Sequence, residues 1–175
     1  MSRIVVGAGG GAYAPNLLIR PATVNDIDGV LAMRRALTLS YHPADFDAHP
    51  DWAERAASVL ANMIAGPTHR IVVADSGTGG VVGCGTARLD VRLPWPGGSA
   101  TTGEIADMWV DPAARGHGVA RAMIDDLVAW CRERGARAVT LHSTPAATGF
   151  YERVGFHVGV PSATSERFPQ MWLDF

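Results

Sequence analysis

The sequence predicts an α+β, mixed α/β layer fold built on one core, and three observations carry that expectation. The chain has 175 residues, a length that one domain explains. It is 47% apolar and 18% charged, too apolar to remain disordered. Its hydrophobic period switches between two and 3.6 residues in the order β-α-α-β-β-β-α-β-α-β-β.

Residues 1–16 read as a flexible leader, and residues 17–175 as the domain. The run IVVGAGGGAYA loosely mimics a short signal peptide, but glycine dilutes its apolar stretch. Gly7, Gly9 and Ala12 match GxGxxA, yet Pro15 stands where a dinucleotide-binding helix would begin. No apolar stretch is long enough to span a bilayer.

Residues 17–20 form the first expected strand. Thr23 with Asp26 three residues on marks a helix start, and Ile27, Val30, Leu31 and Leu37 form its apolar face. Residues 41–51 (YHPADFDAHPD) make a polar, aromatic loop. A second helix places Trp52, Ala56, Val59, Leu60, Met63 and Ile64 at helical spacing and stops at Gly66-Pro67. Residues 70–75 and 81–91 are strands joined by a glycine-rich turn, a hairpin signal. Residues 94–102 form an insert, and residues 104–110 the next strand.

The third helix lines up Val119, Met123, Leu127 and Cys131, carries Arg132 and Arg134 at its C-terminal end, and stops at Gly135. Residues 138–142 are an alternating strand. A fourth helix starts near Pro145 and ends at Gly155. Residues 156–160 and 171–175 close the fold as strands.

Composition narrows the function. A net charge of −2 gives no electrostatic footprint for nucleic acid. Two cysteines, Cys84 and Cys131, are too few for a disulfide framework and read as buried thiols in a reducing cytoplasm. There is no HExxH and no CxxC, so no metal site is expected.

Residues 110–122, VDPAARGHGVARA, carry the strongest functional signal. A strand runs through Asp111-Pro112 into a glycine-lined helix start. The first amides of a helix have no intrahelical partner, its dipole favours an anion, and glycine lets the anion approach. Neither GxxxxGK[ST] nor a complete GxGxxG is present, because Arg121 stands at the last position. The pattern Arg115-x-x-Gly118-x-Ala120 resembles the acetyl-CoA pyrophosphate loop of the GNAT superfamily of N-acetyltransferases. A second motif, FYERVGF at residues 150–156, looks like that superfamily's helix-four signature.

The resemblance implies a central mixed, mostly antiparallel sheet of six to seven strands flanked by four helices. It also implies direct transfer of acetyl from acetyl-CoA to a primary amine in a ternary complex. Met108, Trp109 and Val110 would lend backbone groups to the pantetheine arm, and an N–H near Val110 would meet the oxyanion. Arg115, Gly116, His117, Gly118, Val119 and Ala120 would hold the pyrophosphate, with His117 serving through its backbone while its side chain faces solvent. Ser143 stands where the family often has a cofactor-binding Asn. His142 reads equally as a packed strand end.

An alkylamine with a pKa of about 10.4 is mostly protonated at neutral pH, so a base is needed. Glu104 is the first candidate, six residues before Val110, with strand alternation putting Glu104, Ala106, Met108 and Val110 on one face. A solvated strand-end carboxylate is the plainer reading. Asp107 points to the opposite face unless a bulge intervenes. Tyr151 is the expected acid, set by the family pattern beside the thioester sulfur; a core tyrosine is the plainer reading. The cysteines are not expected to carry acetyl.

Asp45, Asp47 and Asp51 with Tyr41, Phe46 and Trp52 suit a cationic amine, and the insert at residues 94–102 is the other expected wall. The acceptor is thus a small-molecule or peptide amine, with no nucleic acid or membrane partner and with room for a homodimer. A non-catalytic module that senses acyl-CoA is the alternative. A toxin acetylating aminoacyl-tRNA shares the chemistry, but the charge counts against it.

Overall fold

The computed structural model describes residues 4–6, 17–42, 46, 49–77, 80–94, 96–98, 100–159 and 168–175. The chain divides into two compact units, Met1–Thr86 with Asp107–Leu127 and Ala87–Ala106 with Val128–Phe175. Hydrogen-bonded strand neighbours follow the order β1-β2-β3-β4-β5-β6-β8-β7. The ranges are β1 Ile4–Val6, β2 Leu17–Pro21, β3 His69–Asp75, β4 Val81–Val91, β5 Thr101–Val110, β6 Ala138–His142, β7 His157–Val158 and β8 Gln170–Asp174. Among the described residues four α-helices are α1 Ile27–Leu39, α2 Trp52–Ala65, α3 Val119–Glu133 and α4 Pro145–Arg153, and single 3-10 turns stand at Val24–Asp26 and Pro112–Ala114. All seven expected strands form. The eighth, β1, comes from the segment read as a leader, where the β-branched run Ile4–Val6 pairs antiparallel with β2.

In the first unit β2 pairs antiparallel with β3, Leu18 opposite Asp75 and Pro21 opposite Val72. Ile71, Val72, Val73 and Ala74 are all buried, so β3 reads as a continuous apolar run. Its core gathers Val30 of α1, Leu60 of α2, Ile71, Val73 and Cys84, with Ile27, Leu31, Met63 and Ile64 packed against them. The helices thus use the stripes that the 3.6-residue period marked.

A buried ion cluster pins the entry to α1. Asp26, 7% exposed, accepts from Arg20 at 2.7 and 2.8 Å, from the Thr23 amide at 2.7 Å and from its hydroxyl at 2.9 Å. Arg20 also donates to Asp75 at 2.8 Å. The Arg20 bonds, helped by those from Thr23, hold the Asp26 carboxyl down at about 2.

In the second unit β6 pairs parallel with β5, Gly103 opposite Val139, and antiparallel with β8, Val139 opposite Leu173. β7 is only two residues long and pairs with β8. Glycine at position 103 is required by packing. A Cβ there would lie 2.6 Å from Cys131 Sγ and 3.1 Å from Val139 Cγ2.

Candidate active site

β5 does not alternate along its whole length. Gly103 and Ile105 are buried and Ala106 is exposed, yet further on the buried position is the even-numbered Val110. The break is Asp107, the one non-glycine residue with positive φ, 55°, among the described residues. A left-handed residue in a strand shifts the two-residue period by one, as a bulge does. Glu104, Ala106, Met108 and Val110 therefore do not share a face. Met108 Sδ lies 2.3 Å from where a Cβ on Gly85 would stand, so Met108 fills the space that Gly85 leaves.

Holding an L-residue left-handed costs about 1–2 kcal/mol, least for Asp and Asn, and it persists only where its surroundings fix it. Arg34 of α1 donates to Asp107 Oδ1 at 2.6 Å, the Thr86 hydroxyl to Oδ2 at 3.2 Å, and Cys84 Sγ to the Asp107 carbonyl at 3.7 Å. Asp107, Thr86 and Cys84 line a cavity of about 280 Å³ whose remaining wall comes from α1 and α2. Trp52, Ala56, Val59, Leu60 and Met63, placed at helical spacing by the sequence, line this cavity, and Leu60 and Met63 also pack in the core. A second cavity of about 380 Å³ shares Arg34, Trp52 and Arg55 and adds Thr38, Phe46 and His49. Burial, then the Asp107 carboxylate, pushes the Cys84 thiol up to about 12, and burial does the same to Cys131.

Arg34 was not singled out from the sequence. It stands four residues after Val30 and three after Leu31, a charge on an otherwise apolar helix face, and that was the available signal.

Glu104, in the second unit, is bound by Arg88, whose Nε donates to Oε2 at 2.8 Å while Nη2 approaches the same oxygen. Both carboxylates are half-buried and paired with an arginine, Glu104 with Arg88 and Asp107 with Arg34; what separates them is that Asp107 lines the cavity.

The glycine loop has left-handed glycines directly before α3. Gly116 and Gly118 have φ of 80° and 78°, and a Cβ at Gly116 would meet nothing within 4 Å. The Ala122 amide bonds the Gly118 carbonyl at 3.0 Å, which leaves the amides of residues 118–121 ahead of the α3 ladder. No acidic residue occupies the first turn of α3 to compete with a bound anion. Val119 is buried and anchors the turn.

Arg115 is drawn back along β5. Its Nε donates to the Val110 carbonyl at 2.9 Å and its guanidinium lies 4.9 Å from the centre of the Trp109 ring. The Val110 carbonyl, expected to face the cofactor arm, is thus bound by Arg115. His117 does not simply face solvent, because its Nδ1 is buried without a hydrogen-bond partner.

Tyr151 is buried on α4, in edge contact with Phe150 and Phe156 at ring separations of 5.1 and 5.9 Å. Ser143 is 1% exposed. Its amide donates to the Pro169 carbonyl at 3.0 Å and its hydroxyl meets that of Thr148 at 2.8 Å. Thr148 sends its own proton to the Thr144 carbonyl, so Ser143 is the donor of that pair and both its donors are used. His142 is exposed at the end of β6. Asp45 and Asp47 lie outside the described residues, as do positions 95 and 99 of the expected second wall. Phe46 packs edge-on against Trp52 at 5.0 Å. No helix among the described residues is long and apolar enough to cross a membrane.

The profile of the acetyltransferase (GNAT) family matches residues 31–156. A rice (Oryza sativa subsp. japonica) protein named glucosamine 6-phosphate N-acetyltransferase 1 is 32% identical over 154 residues, covering 86% of this chain and 84% of that protein. A glucosamine 6-phosphate N-acetyltransferase of Trypanosoma brucei brucei is 34% identical over 106 residues, covering 61% of this chain and 64% of its own length. The chain therefore spans just under two thirds of the trypanosomal relative. A predicted acetyltransferase of Clostridium acetobutylicum, solved with acetyl-CoA, superposes with a TM-score of 0.69 at 20% identity, covering 83% of this chain and 93% of that one. The strand order, the left-handed glycines at the start of α3 and these likenesses agree: the chain belongs to the GNAT family of acetyl-CoA-dependent N-acetyltransferases.

Proposed function

We propose that this chain moves the acetyl group of acetyl-CoA directly to a primary amine in a ternary complex, with Asp107 taking the amine proton. The bound donor supplies an acetyl thioester. The amides of residues 118–121 hold its diphosphate, that of Arg115 being bound to the Pro112 carbonyl, and the backbone of Met108, Trp109 and Val110 lies along its arm.

The observation that carries this reading is the carboxylate of Asp107, a left-handed residue that lines a cavity just before Met108, Trp109 and Val110. The nitrogen's protons become acidic as the new N–C bond forms, so a carboxylate within reach can accept one. Arg34 and Thr86 keep that carboxylate aimed. Glu104 is the second candidate; it too is held by an arginine, but it is not part of the wall of that cavity. On the family pattern Tyr151 returns a proton to the departing thiolate; a phenol of pKa about 10 can do so for a thiol of about 8.5. Both cysteines stay protonated and hold no acyl group.

The relatives' names make glucosamine 6-phosphate the first acceptor to assay. The test is release of free thiol from acetyl-CoA across amines, amino acids, polyamines, aminoglycosides, peptides and that sugar phosphate. Turnover of one class is expected. Tight acetyl-CoA binding by calorimetry without turnover of any acceptor would leave a sensing module instead.

A further inference from the structure

The cavity beside Asp107 constrains the acceptor. Its volume of about 280 Å³ lies at the lower edge of the roughly 300–1,000 Å³ usual for small-molecule pockets, which suits one ring or a short branched chain. Its wall is hydrocarbon: Val30 and Leu31 from α1, Ala56, Leu60 and Met63 from α2, and the Trp52 ring. Polar atoms are few. Asp107 and Thr86 stand together, and both arginines of the lining are already matched to carboxylates, Arg34 to Asp107 at 2.6 Å and Arg55 to Asp51 at 3.1 Å.

Resting on the acetyl-transfer reading above, we infer that the acceptor is a primary amine carried on an apolar body, an arylalkylamine or branched alkylamine, rather than a hydroxyl-rich amino-sugar phosphate. Sugar hydroxyls against Val30, Leu60 and Met63 would lose water and gain no partner. Within this cavity a phosphate dianion would meet only guanidiniums already paired with carboxylates, beside the negative charge of Asp107. An aryl or alkyl group loses nothing by leaving water there.

The amine end has a place to bind. Each Asp107 oxygen accepts one side-chain bond, from Arg34 or from Thr86, and a carboxylate oxygen has two acceptor positions. The amine N–H can therefore be accepted without breaking either contact. In the transfer the neutral amine nitrogen bonds the acetyl carbon and the C–S bond breaks, one amine proton passes to Asp107 and on to water, and the departing sulfur takes a proton from Tyr151, which water restores, so that it leaves as free thiol. Donor and products balance without another reactant.

The experiment compares kcat/KM for phenylethylamine, isoamylamine, ethylamine and glucosamine 6-phosphate with saturating acetyl-CoA and the full chain. Phenylethylamine is expected to exceed both ethylamine and the sugar phosphate by at least about 100-fold, since each methylene in an apolar pocket is worth about tenfold or more. In Ala56→Phe, which fills the cavity, the KM for phenylethylamine should rise at least about tenfold while that for acetyl-CoA stays within about twofold. Val59→Thr, at a cavity position 57% exposed, keeps the shape and should lower the phenylethylamine-to-ethylamine ratio if Ala56→Phe does not fold.

Preference for glucosamine 6-phosphate, or an unchanged phenylethylamine KM in Ala56→Phe, overturns the apolar acceptor and leaves acetyl transfer standing. Acetyl-CoA binding without thiol release to any amine overturns the transfer reading itself.

Discussion

Arg34 Nη1 sits 2.6 Å from Oδ1 of Asp107, tying helix α1 to the one left-handed non-glycine residue among those described. The contact explains why a strained conformation survives in a strand. Its cost of about 1–2 kcal/mol is shared out: the partly exposed ion pair contributes about 0–1 kcal/mol, and the bonds from Thr86 to the carboxylate and from Cys84 to the carbonyl add to it. The same turn that strains the backbone delivers a carboxylate to a cavity.

Asp107→Asn keeps the side-chain shape and tolerates positive φ, so the fold should survive. Loss of a general base lowers rate by about 10²- to 10⁴-fold. The expected result is a fall of that size in kcat with the KM for acetyl-CoA unchanged. Glu104→Gln is expected to change kcat by less than about fivefold. The reverse pattern, measured under saturating donor, would return the role of base to Glu104.

Gly116→Ala puts a methyl group into the open side of the glycine loop at a φ of 80°. Left-handed alanine costs about 1–2 kcal/mol in stability, and the methyl stands where the diphosphate would approach. The Kd for coenzyme A by calorimetry should rise at least about tenfold. A purely structural role for Gly116 would lower the melting temperature and leave that Kd unchanged.

The elements and the glycine loop were legible because they rest on local rules: the period of the apolar residues, helix stops at Gly66 and Gly135, and glycines ahead of a helix. The acceptor side was not. Strand alternation assumes an uninterrupted strand, and nothing at Asp107 in GEIADMWV announces a left-handed turn. Once the period slips, the carboxylate expected to face away enters the cavity, and Glu104 finds Arg88 sixteen residues earlier in the chain. Likewise the period that marks Ala56, Leu60 and Met63 as apolar cannot say whether they meet side chains or empty space. Leu60 does both, being buried and in the cavity wall.

Cys84 and Cys131 should be inert. Burial raises both thiols to about 12, so at pH 8 both are held as thiols. Native protein treated with iodoacetamide at pH 8 is expected to stay unmodified over hours, and mass spectrometry after turnover should find no acetyl adduct. Rapid acetylation of either cysteine would replace direct transfer with a two-step route.

Acid stability should depend on Asp26. Its carboxyl, moved from its usual 3.8 to about 2 by Arg20 and Thr23, is ionised in the folded chain where the unfolded one is protonated. The unfolded state therefore binds more protons between those values, and stability falls as pH drops from about 4 to 2. Above pH 4 the contribution is complete, about 2 kcal/mol. Asp26→Asn should lose that amount at pH 7 and flatten the acid limb of a urea midpoint-versus-pH curve. Parallel curves for the two proteins would remove Asp26 from the account.

Gly103 tests the packing of the second unit. A methyl group there would stand 2.6 Å from Cys131 Sγ, far inside van der Waals contact, and overpacking of this kind costs about 1–3 kcal/mol. Thermal melting should show Gly103→Ala lowered by about 2–12 °C, given about 2–4 °C per kcal/mol at this chain length. Cys131→Ala removes the sulfur and its clash, so the double variant should melt above Gly103→Ala although Cys131→Ala alone is destabilising. The recovery should be partial, because Cys131 Cβ and Val139 Cγ2 each remain 3.1 Å from the added methyl. Strictly additive effects in this cycle would mean that the two positions do not touch, and the parallel pairing of β5 with β6 at Gly103 and Val139 would then need another explanation for its glycine.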